Sequence, residues 1–145
     1  MAAVYVLNGP NLNLLGTREP ETYGAATLAD VEASLRKSCA TRGIDLEFRQ
    51  SNSEGDLVTW IQEAGGAGAP VILNAGAYTH TSIAIHDAIR GAKADVVEVH
   101  ISNVHAREAF RKKSFFSDLA VGVISGLGEK GYEFAVQYAL SYKKL

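Results

Sequence analysis

Residues 70–73 read Pro-Val-Ile-Leu, a short apolar run without polar alternation, and Asn74 follows at once. Four more largely apolar runs occur at residues 3–7, 44–49, 96–99 and 119–124. Each is bounded by polar or turn-forming residues. Continuous apolar runs are typical of strands buried on both faces, as in parallel sheets. The five runs therefore predict five buried strands.

Segments with helical spacing of apolar residues separate these runs. Thr27 with Asp30, and Ser53 with Asp56, have the spacing of helix N-terminal caps, and Gly91 is predicted to end a third helix. Alternating strands and helices indicate an α/β fold with helices on both faces of a parallel sheet. We expect a flavodoxin-like three-layer sandwich with a five-stranded sheet of order 2-1-3-4-5.

Length and composition narrow the class of protein. The chain has 145 residues and a formal net charge of −2, which predicts a single domain over 1–145 and argues against nucleic-acid or anionic-membrane partners. Its one cysteine, Cys39, excludes an internal disulfide and lies on the apolar stripe of a predicted helix, so we interpret it as a core residue. There is no signal-peptide pattern and no stretch of ~20 apolar residues. We expect a cytoplasmic protein.

Polar side chains concentrate directly after the predicted strands, where ligands of open parallel sheets bind. Singly, such residues are as often simple turn formers. The concentration of Asn and His at one edge is the less ordinary feature. It comprises Asn8, Asn11, Asn13, Asn52, Asn74, Asn103, His80, His100 and His105.

Glu98 and His100 lie two residues apart on one predicted strand, so their side chains leave the same face. A carboxylate beside an imidazole fixes its tautomer and favours its charged form, which is how a general acid is made. The alternative is an ion pair with a purely structural role, because an unpaired glutamate within an apolar strand would be costly.

Two further groups carry candidate chemistry. Arg107 and Arg111 are four apart on a short predicted helix and, with Arg18, could surround an anion; alternatively they form a solvated basic face. Tyr23 follows Arg18 in the long loop 8–26, whose residues 16–24 are a candidate lid. A guanidinium favours the phenolate of a nearby tyrosine, which makes Tyr23 a candidate base, although loop tyrosines more often serve packing.

Three other readings have weaker support. Gly126, Gly128 and Gly131 match G-x-G-x-x-G, but too little chain follows for a dinucleotide fold, so we interpret the motif as a tight strand-to-helix turn. The histidines lack zinc-site spacing, and no G-x-S-x-G motif marks a hydrolase. No lysine at a predicted strand end offers a Schiff base. A metal-dependent hydrolase and a non-catalytic flavin- or nucleotide-binding module remain the competing classes.

Motifs spread over the whole chain resemble the type II 3-dehydroquinase family. They are LNGPNLNLLG at 7–16, REP at 18–20, NAGAYTHTS at 74–82, EVHISN at 98–103, HARE at 105–108, FR at 110–111, GLG at 126–128 and GY at 131–132.

This resemblance implies dehydration of 3-dehydroquinate to 3-dehydroshikimate by anti elimination through an enolate, without metal, Schiff base or cofactor. The step serves the shikimate pathway or, alternatively, quinate catabolism. By resemblance, Tyr23, polarised by Arg18, is the base, and Asn11 stabilises the enolate. His100, oriented by Glu98, protonates the leaving hydroxyl.

The resemblance also implies a set of binding residues and an assembly. The substrate carboxylate would meet Asn74 and the backbone N–H groups of Ile101 and Ser102. The ring hydroxyls would meet His80 and Arg111. Arg107 would bear on Tyr23 or the lid. Asp87 would reach a neighbouring subunit's site within a dodecamer, a tetramer of trimers.

Overall fold

The computed structural model describes residues 2–17, 19, 21 and 24–145. In this part of the chain the five strands are β1 (Ala3–Asn8), β2 (Asp45–Gln50), β3 (Val71–Asn74), β4 (Val96–His100) and β5 (Gly122–Ser125). They form one parallel sheet of order β2-β1-β3-β4-β5. The predicted flavodoxin-like order is confirmed. The last strand begins at Gly122 rather than at 119, because Leu119 still belongs to a turn in which its N–H donates to the Phe116 carbonyl at 3.0 Å.

Among the described residues, four α-helices pack on this sheet: α1 (Leu28–Ala40), α2 (Glu54–Gly66), α3 (Ile83–Ala92) and α4 (Lys130–Lys143). Short 3₁₀ turns at Leu12–Leu14, Gly76–His80, Val104–Ala106 and Ala109–Arg111 follow the strand ends. None of the helices in the described ranges is both long and apolar enough to cross a membrane.

The two predicted helix starts are confirmed by their hydrogen bonds. Thr27 and Asp30 form a reciprocal capping box, with the Thr27 hydroxyl accepting from the Asp30 N–H at 3.1 Å and the Asp30 carboxylate accepting from the Thr27 N–H at 3.0 Å. The Ser53 hydroxyl accepts from the Asp56 N–H at 3.3 Å. These bonds satisfy N–H groups that a helix start otherwise leaves unpaired.

The predicted end of α3 at Gly91 is wrong. The helix continues through Gly91 to Ala92, and the left-handed residue is Lys93, with φ of 53°. The Lys93 N–H donates to the Arg90 carbonyl at 3.3 Å and the Ala94 N–H to the Ile89 carbonyl at 3.1 Å. These bonds satisfy the last helical carbonyls and offset the roughly 1–2 kcal/mol that a left-handed non-glycine residue costs.

The core has two layers because alternate side chains of each strand point to opposite faces of the sheet. Val4, Val6 and Ile72 pack with α1 and α4 on one face, where Cys39 is buried as expected. Leu7 and Leu73 face α2 and α3 on the other. The central strands are therefore covered on both sides and anchor the loops at their carboxyl ends.

Two glycines allow these loops to approach one another. A Cβ on Gly9 would lie 2.3 Å from the Ala75 carbonyl oxygen, so only glycine lets the loops after β1 and β3 touch. The predicted strand-to-helix turn is confirmed: Gly126, with φ of 88°, donates its N–H to the His100 carbonyl at 3.2 Å. Both contacts draw the strand ends towards a single cavity.

Candidate active site

A cavity lies at the carboxyl ends of β1, β3 and β4 and brings together most of the residues singled out from the sequence. Its polar lining comprises Asn11, Asn74, His80, His100, Ser102, Arg107 and Arg111, with Ile101 at its wall. Glu98 lies directly behind His100. Arg18 and Tyr23 fall outside the described residues.

The centre of the cavity is the pair Glu98 and His100, and their side chains share one face of β4 as the spacing predicts. Both residues are buried. The Nε2 of His100 hydrogen-bonds to Oε2 of Glu98. The other carboxylate oxygen, Oε1, accepts hydrogen bonds from the hydroxyls of Ser117 at 2.6 Å and Ser114 at 3.1 Å.

These contacts decide the ionisation of Glu98. Burial alone would raise the pKa of the Glu98 carboxyl, but the hydrogen bonds from His100, Ser117 and Ser114, together with the charge of His100, outweigh burial and lower the pKa below its ordinary value. An anionic carboxylate can only accept, so Nε2 of His100 carries a hydrogen. The remaining ring nitrogen, Nδ1, is left for the cavity.

The imidazole of His80 lies over that of His100, with ring centroids 6.4 Å apart and ring planes 18° from parallel. Its Nδ1 is 2.7 Å from the Lys113 carbonyl oxygen, and a carbonyl only accepts, so Nδ1 is the protonated nitrogen. This contact fixes the ring and leaves Nε2 of His80 for a ligand.

Asn74 is held by a buried network. Its Nδ2 donates to the Tyr132 hydroxyl at 2.9 Å, and its Oδ1 accepts from the Gly76 N–H at 3.3 Å. The Tyr132 hydroxyl donates in turn to Oδ1 of Asn8 at 2.7 Å. An amide nitrogen has two hydrogens, so Asn74 keeps one donor for a group in the cavity.

The backbone after β4 offers two more donors. The N–H groups of Ile101 and Ser102 find no backbone or side-chain acceptor among the residues that the structure describes. The carbonyl of Ile101 accepts from the Gly128 N–H at 3.0 Å, which fixes the peptide plane that follows it. Successive unpaired N–H groups beside an amide donor form a site suited to a carboxylate.

The two arginines of the cavity do not share a helix, so that prediction is wrong. Arg107 follows the 3₁₀ turn Val104–Ala106 and is extended, with φ of −110° and ψ of −162°, whereas Arg111 ends the separate turn Ala109–Arg111. Nη1 of Arg107 donates to the Ser102 hydroxyl at 3.3 Å. Arg111 donates through Nε to Glu108 at 2.5 Å and lies over the Phe110 ring, 5.1 Å from its centroid.

Asn11 enters the cavity from the loop after β1. Its backbone is left-handed, with φ of 69°, and its N–H donates to Oδ1 of Asn52 at 3.0 Å. Asparagine tolerates this conformation better than most residues. The side-chain amide makes no hydrogen bond to any described residue and lines the cavity, where it is available to a ligand.

Asp87 is not brought to this cavity. It lies on α3 with its side chain 71% exposed, 3.1 Å from Nδ1 of His86. Within residues 2–17, 19, 21 and 24–145, no group of three or more His, Cys, Asp and Glu side chains is placed to hold a metal ion.

The sequence reasoning missed three residues that support the site: Ser114, Ser117 and Tyr132. The two serines lie 16 and 19 residues beyond the glutamate they contact, and Tyr132 was given no role in the site. A glutamate within an apolar strand requires hydrogen-bond donors from elsewhere in the fold once it is buried. The sequence therefore indicates that such donors exist, but it does not identify which residues supply them.

A doubly wound α/β domain with a buried imidazole–carboxylate pair and unpaired hydrogen-bond donors at its strand ends is typical of an enzyme that performs acid–base chemistry on a small polar substrate. Comparison with known proteins identifies the family. The model of the class II dehydroquinases matches residues 2–140. The 3-dehydroquinate dehydratase of Brucella canis is 62% identical over 129 residues, which cover 89% of this chain and 82% of that protein.

Solved structures agree with this assignment. The type II dehydroquinase from Propionibacterium acnes superposes with a TM-score of 0.92 at 44% identity, over 97% of each chain. That from Butyrivibrio crossotus superposes with a TM-score of 0.91 at 41% identity, over 95% of this chain and 97% of the other. The chain belongs to the class II dehydroquinase family.

Proposed function

We propose that the cavity dehydrates 3-dehydroquinate to 3-dehydroshikimate by anti elimination through an enolate, with no metal, Schiff base or cofactor. Family membership makes the chain a hydro-lyase, and removal of water from 3-dehydroquinate is its step in the shikimate pathway. The observation that carries the mechanism is His100, held through Nε2 by an anionic Glu98 and facing a cavity with donors for a carboxylate.

The first half of the reaction needs a base. The phenolate of Tyr23, stabilised by Arg18, takes a proton from the carbon next to the substrate ketone. Negative charge then develops on the ketone oxygen. The Asn11 side chain lines the cavity without a hydrogen-bond partner among the described residues, which supports its role as donor to the enolate.

The second half needs an acid. His100 in its imidazolium form donates the Nδ1 proton to the leaving C1 hydroxyl as the enolate collapses to the double bond. The carbon–oxygen bond breaks and water leaves. His100 is then neutral, and its Nε2–H still donates a hydrogen bond to Glu98. The contact between His100 and Glu98 supports this assignment, because it holds one tautomer throughout.

Substrate binding uses the remaining groups. Asn74 and the N–H groups of Ile101 and Ser102 bind the carboxylate, while His80 and Arg111 bind ring hydroxyls. Arg107 bears on Tyr23 or on the lid, residues 16–24, which closes over the single catalytic domain, 1–145. The free donors of Asn74 and of the backbone, and the fixed ring of His80, support these roles.

The exposure of Asp87 supports a role between subunits. A carboxylate 71% exposed on α3, away from its own chain's cavity, is available to the site of a neighbouring copy. The assembly is a homo-oligomer, a dodecamer built as a tetramer of trimers, in the cytoplasm. Measurement of the mass in solution tests the dodecamer. Asp87→Ala tests the role of this carboxylate between subunits: its activity should fall although the mass of the assembly stays the same.

One assay tests the function. Protein with and without chelator treatment is mixed with 3-dehydroquinate, and the ultraviolet absorbance of the conjugated enone product is followed with and without borohydride. A rise in every sample is expected. Loss of the rise with chelator would contradict the metal-free route, loss with borohydride would indicate a Schiff base, and no rise from folded protein would overturn the activity.

A further inference from the structure

The segment 113–117, between β4 and β5, contacts the imidazole of His80 directly and reaches that of His100 through Glu98. The Lys113 carbonyl oxygen lies 2.7 Å from Nδ1 of His80. Four residues further on, the Ser117 hydroxyl donates to Glu98 at 2.6 Å, and Glu98 holds His100. One short stretch of chain therefore fixes the environment of both stacked rings.

This segment is itself anchored in the core. Phe116 is fully buried among the side chains that pack with α2 and α3, and the Phe115 N–H donates to the Thr79 carbonyl at 2.9 Å. These two anchors lie between Ser114 and Ser117 and keep the serine hydroxyls in place, since a displaced segment would empty the Phe116 site.

The two hydroxyls complete the hydrogen bonding of the Glu98 carboxylate. Oε2 faces His100, and Oε1 receives Ser114 at 3.1 Å and Ser117 at 2.6 Å. The Ser114 hydroxyl also accepts from the N–H groups of Phe116 and Ser117, at 3.2 and 3.1 Å. Ser114 therefore shapes the turn as well, whereas the only hydrogen bond of the Ser117 hydroxyl within the described residues is to Glu98.

We propose that Ser114 and Ser117 are positioning residues for the acid step, which act on His100 by holding Glu98 as an anion in one orientation. Without them Glu98 would be a buried carboxylate with a single donor, and the proton shared with His100 would move towards the carboxylate. His100 would then face a neutral partner in place of the anion that orients its ring and offsets its positive charge in the acid step. The inference rests on the proposed role of His100.

Ser117→Ala is the cleaner test, because it removes one donor to Glu98 and leaves the Ser114 turn intact. The matched control is Ser38→Ala, which removes an equivalent serine-to-glutamate bond, 2.7 Å long, to Glu133 between α1 and α4. Ser117→Thr retains a hydroxyl. Ser117→Cys retains only a weak donor of similar size, and it serves if the alanine variant does not fold.

Measurements of kcat, KM and deuterium exchange distinguish a positioning role of Ser117 from a general loss of structure. Ser117→Ala is expected to lower kcat roughly ten- to hundred-fold, with KM within about two-fold, as loss of a hydrogen bond to a charged group implies. In heavy water the ratio of deuterium exchange into 3-dehydroquinate to elimination should rise by a similar factor, because the base step is untouched. Threonine should restore most of kcat, and cysteine should lie between threonine and alanine.

The pH profile gives a second readout. Loss of a donor disfavours anionic Glu98, so the acid limb of kcat should move to higher pH in Ser117→Ala. Among the described residues, the other charged or titratable groups that line the cavity with His100 are His80, Arg107 and Arg111, and all remain in the variant.

Three outcomes would overturn the inference. The first is a Ser117→Ala enzyme with the kcat and pH profile of Ser38→Ala. The second is an equal loss of exchange and elimination, and the third is a threonine variant as impaired as the alanine one. An inactive wild-type protein would instead overturn the proposed function on which the inference rests.

Discussion

The hydroxyl of Tyr132 accepts a hydrogen bond from the Asn74 amide at 2.9 Å, although 58 residues separate them in the chain. It also donates to Asn8 at 2.7 Å, so both of its hydrogen-bonding roles are used. Burial raises the pKa of Tyr132 well above its ordinary value, which keeps the hydroxyl protonated as a donor. The orientation of Asn74 in the cavity therefore depends on a side chain from the last helix.

Tyr132→Phe should destabilise the protein by about 1–3 kcal/mol, because Asn8 and Asn74 each lose a buried partner. It should raise KM more than it lowers kcat, since the role proposed for Asn74 is to bind the substrate carboxylate and not to react. Urea unfolding and steady-state kinetics measure both. Tyr142→Phe, on the exposed face of the same helix, is the control and should match wild type. A Tyr132→Phe enzyme with unchanged KM would contradict the role of the network.

Tyr23→Phe should abolish the base step while leaving folding and substrate binding intact. A positioned base contributes about 10²- to 10⁴-fold, so kcat should fall by that order. Kinetics, thermal unfolding and substrate titration of the same preparation check this. Tyr138→Phe, an exposed tyrosine on α4, serves as the control. Near-normal kcat in Tyr23→Phe would rule out this tyrosine as the base.

Arg18→Ala should move the activity profile to higher pH, because the phenolate of Tyr23 loses the cation that favours it. The profile of kcat between neutral and alkaline pH measures the shift. Arg36→Ala removes a surface arginine paired with Glu32 at 2.8 Å and should leave the profile in place. An Arg18→Ala profile that does not move would refute the coupling.

Glu98→Gln should flatten the dependence of stability on acid. The pKa of Glu98 is lowered in the folded state, so this carboxyl contributes stability that is present above its unfolded pKa, near 4.5, and is lost as the pH falls through the lower folded value. Urea unfolding at several pH values from about 7 to 3 measures the free energy of unfolding.

Wild type should lose more stability over this range than Glu98→Gln, while Glu32→Gln, which leaves Glu98 in place, should keep the wild-type slope. Parallel curves for wild type and Glu98→Gln would show that Glu98 is not held as an anion in the folded protein.

Much of the fold could be predicted from local pattern. Apolar runs identify the strands, and the side chains of Thr27 and Ser53 mark helix starts because a cap is a contact within three residues. The ends of elements were less predictable. Lys93 stops α3 in a conformation that its type disfavours, since hydrogen bonds to the preceding turn outweigh intrinsic preference.

Part of the cavity could also be predicted, because the geometry of a parallel sheet determines where its strands end. Parallel strands end at one edge of the sheet, so residues that follow different strands, such as Asn74 and His100, meet there. The helix predicted for Arg107 and Arg111 does not form. Two arginines four residues apart are compatible with a helix and equally with two consecutive turns. The partners of Glu98 and Asn74 come from segments whose placement depends on tertiary packing, which local pattern does not encode.

The most direct test of the account is hydrogen exchange with His100→Ala. The variant, checked for folding and for binding of 3-dehydroquinate, is incubated with this substrate in heavy water, and both deuterium uptake beside the ketone and enone formation are followed. The account predicts continued uptake, because the base remains, and elimination lowered by at least about 10²-fold, because the acid is gone. Elimination at the wild-type rate would contradict the assignment of His100 as the acid and, with it, the mechanism proposed for this cavity.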